Sequence, residues 1–189
     1  MSAARLASSR LDGGRACLLV TGAPGAGKTT VAQSVARSLS RSALISGDAV
    51  ARMVVGGYVW PLGDPPREAA RQVRLVNDNL CSLAGNFIDA GFTPVIDWIV
   101  PDADRLEVYR AQFGSRLRLV VLDPGAEACV ARNLQRPAVE QFAFDGHAQL
   151  RASMWDGFRS LGWWLDSSGL DAESTTRRIV DQAYERAAC

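Results

Sequence analysis

Gly22-Ala23-Pro24-Gly25-Ala26-Gly27-Lys28-Thr29 spaces its glycines, lysine and hydroxyl as G-x-x-x-x-G-K-[ST]. That spacing is suited to holding phosphate. Glycines let the backbone turn so that successive N–H groups face one anion, and they leave room for it. The N-terminus of a following helix adds partial positive charge. Lys28 is set to reach the β- and γ-phosphates of a nucleotide, and the Thr29 hydroxyl to ligate Mg²⁺. Thr30 is the next hydroxyl, within reach of an α-phosphate. Lys28 is also the only lysine among 21 Lys and Arg residues. A compact ammonium is kept only here, where a planar guanidinium would not serve equally well.

Two carboxylates follow at informative points. Asp48 comes directly after the second expected strand and should face the γ-phosphate. A carboxylate there can accept the proton of an acceptor hydroxyl or hold a magnesium-bound water. Gly47-Asp48 also precedes a short helix, where an aspartate can serve as N-cap. Asp97 ends the third expected strand and is suited to order Mg²⁺ or its water shell; the plain alternative is a turn carboxylate. Asp123 ends the fourth strand before Pro124-Gly125 and reads as a helix cap.

Arg132 and Arg136 lie four apart, on one helical face, next to a segment without period. Guanidinium groups there can clamp β/γ-phosphates, or they can form a solvated face. Arg52 lies four residues after Asp48 and either pairs with it or contacts substrate. Tyr58, Trp60, Trp98 and Trp155 fall at loops and strand ends and are suited to line a pocket for an organic acceptor. Trp163 and Trp164 read as core and edge of the last strand. His147, the sole histidine, reads as a surface or helix-start residue.

The elements that must position these residues alternate. Cys17 to Thr21 is a short apolar run ending in the glycine loop, as in a buried parallel strand. Thr29 to Leu39 carries apolar residues at helical spacing. Ala43 to Ser46 reads as a second strand, with a short helix to Met53. Arg67 to Ala90 is a long helical pattern with Leu75, Val76, Leu80, Leu83, Phe87 and Ile88 along one side, stopped by Gly91. Strands follow at Thr93–Trp98, Leu117–Leu122 and Trp163–Leu165. Helices are expected from Asp102 or Asp104 to Phe113, over Glu127–Gln135, over His147–Arg159 and over Asp171–Ala187. This order predicts an α/β fold with a mainly parallel sheet. Ligands bind such sheets beyond the carboxyl ends of the strands.

Length predicts one domain with a proper core. Met1 to Gly14 reads as a flexible start, residues 15–189 as the domain, and residues 136–146 as a short lid. A net charge of +1 gives no basic surface for nucleic acid. No apolar run suits a signal peptide or a membrane span, so a cytoplasmic protein is expected. The four cysteines contain no C-x-x-C pair, which argues against zinc. Cys17 and Cys129 read as core and Cys189 as exposed. The chain does not reveal its oligomeric state.

Gly22 to Thr30, Ser46-Gly47-Asp48 and Val95-Ile96-Asp97-Trp98 together resemble the P-loop small-molecule kinases. That group includes chloramphenicol phosphotransferase, gluconate and shikimate kinases, nucleoside monophosphate kinases and zeta-toxin-type kinases. The resemblance runs from Leu18 to about Tyr184. It implies a three-layer P-loop kinase fold with five parallel strands in the order 2-3-1-4-5. It also implies ATP and Mg²⁺, an Asp48 that deprotonates the acceptor, and an arginine-bearing lid at Arg132 to Arg136. The loop Asp166-Ser167-Ser168-Gly169 would pack beside adenine, with Ser168 as its contact. Arg52 stands one residue later than the nucleoside monophosphate kinase pattern requires, and Trp98-Ile99-Val100-Pro101 replaces that family's glycine-phenylalanine-proline-arginine element. Trp60 to Glu68, with Trp98, is closer to the antibiotic phosphotransferases. The expectation is therefore transfer of the γ-phosphate of ATP to a hydroxyl of a small organic molecule, plausibly an antibiotic or natural-product intermediate. A metabolite, sugar or nucleotide kinase is the near alternative, and a non-enzymatic nucleotide switch the distant one. One lysine leaves no room for the asparagine-lysine-x-aspartate element of a guanine-selective switch.

Overall fold

The computed structural model describes residues 9–135, 138 and 144–189. Five strands form one parallel sheet: β1 (Cys17–Gly22), β2 (Ser42–Ser46), β3 (Thr93–Asp97), β4 (Leu117–Leu122) and β5 (Trp163–Leu165). Their order is β2-β3-β1-β4-β5, as the resemblance implies. Among the described residues seven α-helices connect and cover them: α1 (Lys28–Ser38), α2 (Gly47–Ala51), α3 (Pro66–Asp89), α4 (Ala103–Phe113), α5 (Ala126–Leu134), α6 (His147–Phe158) and α7 (Ala172–Arg186).

Alternation along the central strands builds two cores. Cys17 and Leu19 of β1, with Leu117, Leu119 and Val121 of β4, face α3, α4 and α6. Leu18 and Val20, with Val120 and Leu122, face α1 and α7. Strands buried on both faces must be apolar at nearly every position, which is why β1 and β4 read as runs rather than alternations. Among the described residues no helix is long and apolar enough to cross a membrane.

Several expectations shift by a register or a partner. The buried face of α3 is Ala69, Val76, Leu80, Cys81, Ala84 and Ile88. Leu75 and Phe87, expected on it, are 43% and 37% exposed. The face is built partly from alanine and from polar Gln72 and Asn77, which a hydrophobicity pattern undercounts. Asn77 is buried because the Tyr109 hydroxyl donates to its Oδ1 at 2.6 Å. Asp102, not Asp104, caps α4, accepting from the Arg105 amide at 2.8 Å. The last residues of the expected flexible start pack on the body. Leu11 is fully buried, and the Asp12 carboxylate accepts from the Ser40 amide at 3.0 Å. Cys17, Cys81 and Cys129 are buried, and Cys189, expected exposed, is half-buried.

Candidate active site

The site is assembled at the carboxyl ends of β1, β2 and β3. Gly22 ends β1, and the loop it opens runs to Gly27, directly before α1. Two glycines here are required by geometry. Gly25 has φ +83°, and a Cβ on it would stand 2.4 Å from the Cys129 carbonyl oxygen. Gly27 has φ +95° and precedes the helix in the left-handed region. An L side chain is strained at both. The loop is thereby held close against α5 and leads directly into the N-terminus of α1, whose partial positive charge suits a phosphate chain.

Lys28 is half-buried and its Nζ donates to the Ala23 carbonyl at 3.1 Å. The ammonium spans the mouth of the loop. Thr29 and Thr30 are exposed on the first turn of α1. The Thr29 hydroxyl donates to Asp97, and Lys28 and Asp48 both act on that carboxyl electrostatically. Asp97 is 6% exposed at the end of β3. Burial pushes its pKa up, the Thr29 bond and Lys28 oppose that shift, and Asp48 adds to it. Four residues from three segments, Lys28, Thr29, Asp48 and Asp97, thus form one cluster. A hydroxyl beside a buried carboxylate suits Mg²⁺, which keeps several waters and takes few protein ligands.

Asp48 is exposed in the first turn of α2 and does not cap it. Ser46 is the cap, its hydroxyl accepting from the Ala49 amide at 3.3 Å. This removes the plain alternative for Asp48. Trp98 follows Asp97 and lies flat on Gly47, where a Cβ would stand 2.0 Å from the indole. Gly47→Ala is therefore expected to displace Trp98 and destabilise the protein by about 1–3 kcal/mol, as overpacking does; thermal unfolding checks this.

Asp97 also sets a pH dependence. Its folded-state pKa is raised, so the folded chain holds this proton more tightly than the unfolded one. The associated stability is complete below the ordinary carboxylate range and is lost as pH rises through the raised value. Asp97→Asn should therefore raise the melting temperature of the ligand-free protein at neutral pH, by about 2–4 °C per kcal/mol relieved. The same change should weaken stabilisation by Mg²⁺-ATP. Thermal melts with and without Mg²⁺-ATP, at acid and neutral pH, measure both effects.

The remaining candidates are distributed around this cluster. Arg132 donates to the Ala26 carbonyl at 3.0 Å and to the Ser167 carbonyl at 2.8 Å. It joins the glycine loop to the loop after β5. Arg136, its expected companion, lies outside the described residues, as does most of the expected lid. Ser168 is exposed on the loop after β5, its amide donating to Asp166 at 2.9 Å. Arg52 is exposed at the end of α2. Tyr58 and Trp98 line one cleft with α2 and α3, and Trp60 stands 62% exposed on the same loop.

Some participants were not legible in the sequence. His147, expected at the surface or at a helix start, does open α6 but is 6% exposed, and its Nε2 lies 3.0 Å from the Pro24 carbonyl. Phe144 packs edge-on against its ring at 4.7 Å. The histidine braces the glycine loop from α6. Asp123, expected to cap α5, is instead forked by Arg151, with Nε and Nη2 each 2.8 Å from a carboxylate oxygen. Gly125 takes the cap position without a side-chain bond. Gln72 orders the loop after α2, accepting from the Val59 amide at 2.9 Å and donating to the Gly57 carbonyl at 2.8 Å.

Comparison with known proteins agrees with this geometry. Residues 18–161 match the family described as AAA domain. No curated protein matches the chain in sequence. Among solved structures, a sugar kinase from Janibacter sp. HTCC2649 superposes with a TM-score of 0.68 at 22% identity, covering 91% of this chain and 95% of that one. The tunicamycin resistance protein of Deinococcus radiodurans gives 0.58 at 16% identity, covering 87% and 93%. A gluconokinase from Sinorhizobium meliloti 1021 gives 0.57 at 17%, covering 88% and 90%. At these identities the likeness is one of fold, and the resemblance read from Gly22–Thr30, Ser46–Asp48 and Val95–Trp98 is borne out. Matched by that family over residues 18–161 and carrying the sheet order β2-β3-β1-β4-β5, the chain belongs to the AAA domain family and has the fold of the P-loop small-molecule kinases.

Proposed function

We propose that this protein is an ATP-dependent phosphotransferase that moves the γ-phosphate to a hydroxyl of a small organic molecule. The observation that carries the reading is the convergence of Lys28, Thr29, Asp48 and Asp97 beside the glycine loop. A phosphate cradle alone would suit an ATPase or a switch. An exposed carboxylate that caps nothing, facing the same cluster, supplies what transfer to an alcohol needs.

In this reading the amides of Gly22 to Thr30 and the Lys28 ammonium hold the phosphate chain. Mg²⁺, held by Thr29 and Asp97, offsets phosphate charge when bound. Asp48 accepts the hydroxyl proton as the acceptor oxygen bonds to the γ-phosphorus. The bond to the β-phosphate oxygen breaks, and ADP leaves with that electron pair. Arg132 keeps the glycine loop registered against the base-side loop that carries Ser168. Arg136 is the remaining guanidinium candidate for charge developed in transfer. Arg52, Tyr58, Trp60 and Trp98 belong to the acceptor side.

An antibiotic or natural-product acceptor is supported by the aromatic character of Tyr58, Trp60 and Trp98 and by the fold shared with a tunicamycin resistance protein. A sugar or metabolite acceptor is the second reading, favoured by the fold shared with a sugar kinase and a gluconokinase. Purified protein with Mg²⁺-ATP is expected to release ADP only when an acceptor is present. Rapid ADP release with no acceptor would overturn the proposal in favour of an ATPase.

A further inference from the structure

The chain between α2 and α3, residues 52–65, forms neither helix nor strand. A connection this long without structure of its own is uncommon in a compact domain unless it serves function. This one leaves Met53, Val55, Tyr58, Trp60 and Leu62 exposed. Crowding does not hold its glycines in place. A Cβ on Gly56 or Gly57 would meet nothing within 4 Å, and Gly57 has φ +75°. Order is supplied from α3. The Gln72 side chain accepts from the Val59 amide at 2.9 Å and donates to the Gly57 carbonyl at 2.8 Å. One side-chain amide thus binds the backbone on both sides of Tyr58, as the peptide group of a neighbouring strand would.

Gln72 is 6% exposed, and its amide is itself held. Its Nε2 also donates to Glu68 Oε1 at 2.8 Å. Arg71 in turn forks Glu68, with Nε and Nη2 each 2.8 Å from a carboxylate oxygen. Turning the amide over would set its oxygen against the oxygens of Gly57 and Glu68, so the partners fix its orientation. A methionine at position 72 would fill much the same space. What the glutamine adds is register: its bonds select residues 57 and 59, and so station Tyr58 between them. Tyr58 lines one cleft with Ala51 of α2 and with Trp98. Trp98 packs on Gly47, the neighbour of Asp48.

We infer that Gln72 is a positioning residue for phosphate transfer, whose amide holds Tyr58 in place for the acceptor. This rests on the kinase reading above, in which Tyr58 belongs to the acceptor side. Gln72 acts through the loop and not on the substrate, because its own polar atoms are taken up by Gly57, Val59 and Glu68. Glu68 and Arg71 support it from the first turns of α3.

Two experiments on the full chain separate this inference from the kinase reading. The first needs no substrate. Chymotrypsin cuts after aromatic residues where the chain opens locally, and mass spectrometry identifies the bond. Gln72→Met should speed cleavage after Tyr58 roughly tenfold, since the loop loses its tie to α3. Gln72→Glu, which keeps the shape but has no donor for Gly57 when ionised, should act in the same direction. Unchanged cleavage in both variants overturns the inference. The second follows transfer from γ-labelled ATP to compounds of a small-molecule cell extract, measured against dilution of the extract. Gln72→Met should raise the apparent KM for the extract roughly tenfold, on the scale of a lost hydrogen bond. ATP affinity by calorimetry should stay within about twofold, as for a change in acceptor binding alone. Tyr58→Ala should raise the same KM at least as much. The double variant should then be no worse than Tyr58→Ala, because the clamp works through that side chain. Multiplied effects in the double variant, or an unchanged KM in Gln72→Met, overturn the inference and leave the kinase reading intact. No labelled product with the unaltered protein overturns the kinase reading, and the inference with it.

Discussion

Replacing Asp48 with asparagine is expected to lower kcat by about 10²–10⁴-fold, the usual contribution of a positioned general base. ATP affinity should stay within about twofold, since this carboxylate meets no phosphate in its resting role. The effect should be this large because Asp48 has no structural duty to confuse the result. Ser46 caps α2, and Asp48 is exposed on the side of the cluster. Asparagine keeps the size and the first-turn position but takes no proton. Steady-state phosphate transfer alongside calorimetric ATP binding separates the two quantities. Unchanged turnover would remove Asp48 from the mechanism; a parallel loss of ATP binding would reassign it to magnesium.

The second large effect belongs to Lys28. Lys28→Ala should lower kcat/KM by about 10²–10³-fold, the scale of removing one preorganised electrostatic contact. Two contributions add here. The Nζ holds the loop through the Ala23 carbonyl, and it opposes the burial-driven rise in the pKa of Asp97. Lys28→Arg should be nearly as defective, although it preserves the charge. A planar, five-donor guanidinium does not replace a compact ammonium on a flexible stem at such a site. Because the chain has one lysine, amine-directed labelling should mark only Lys28 and the N-terminus. ATP should protect Lys28, and mass spectrometry of the labelled peptide reads that directly. Labelling unaffected by ATP would contradict the central assignment.

The Arg132 contacts refine what an arginine scan would mean. Its guanidinium ties the Ala26 carbonyl to the Ser167 carbonyl. A loss of activity in Arg132→Ala would therefore report misplacement of the glycine loop as well as any lost phosphate contact. The same caution attaches to His147, which holds that loop at Pro24.

What the sequence determined by itself is local. The glycine loop was legible because its function depends on backbone geometry within eight consecutive residues, and that geometry permits few side chains. The strands β1 and β4 were legible because burial on both faces demands unbroken apolar runs. Asp48 and Asp97 were legible because a strand end fixes where the next side chain emerges. Element order then restricted the topology, and the resemblance supplied the sheet order that spacing alone left open.

Tertiary structure alone decided which polar groups meet. His147 and Pro24, Arg132 and Ser167, and Asp123 and Arg151 are far apart in the chain. Nothing in their local sequence records the encounter. Whether an aspartate caps a helix or grips an arginine depends on which helix packs across it, as Asp123 illustrates. The face of α3 turned on a hydrogen bond from Tyr109 to Asn77, made by another helix. The Trp98 indole N–H, buried and without a hydrogen-bond partner among the described residues, is likewise recorded by nothing in its local sequence. Backbone conformation is set by neighbours in sequence. The pairing of buried polar groups is set by the packing of distant elements, which no local stretch of sequence encodes.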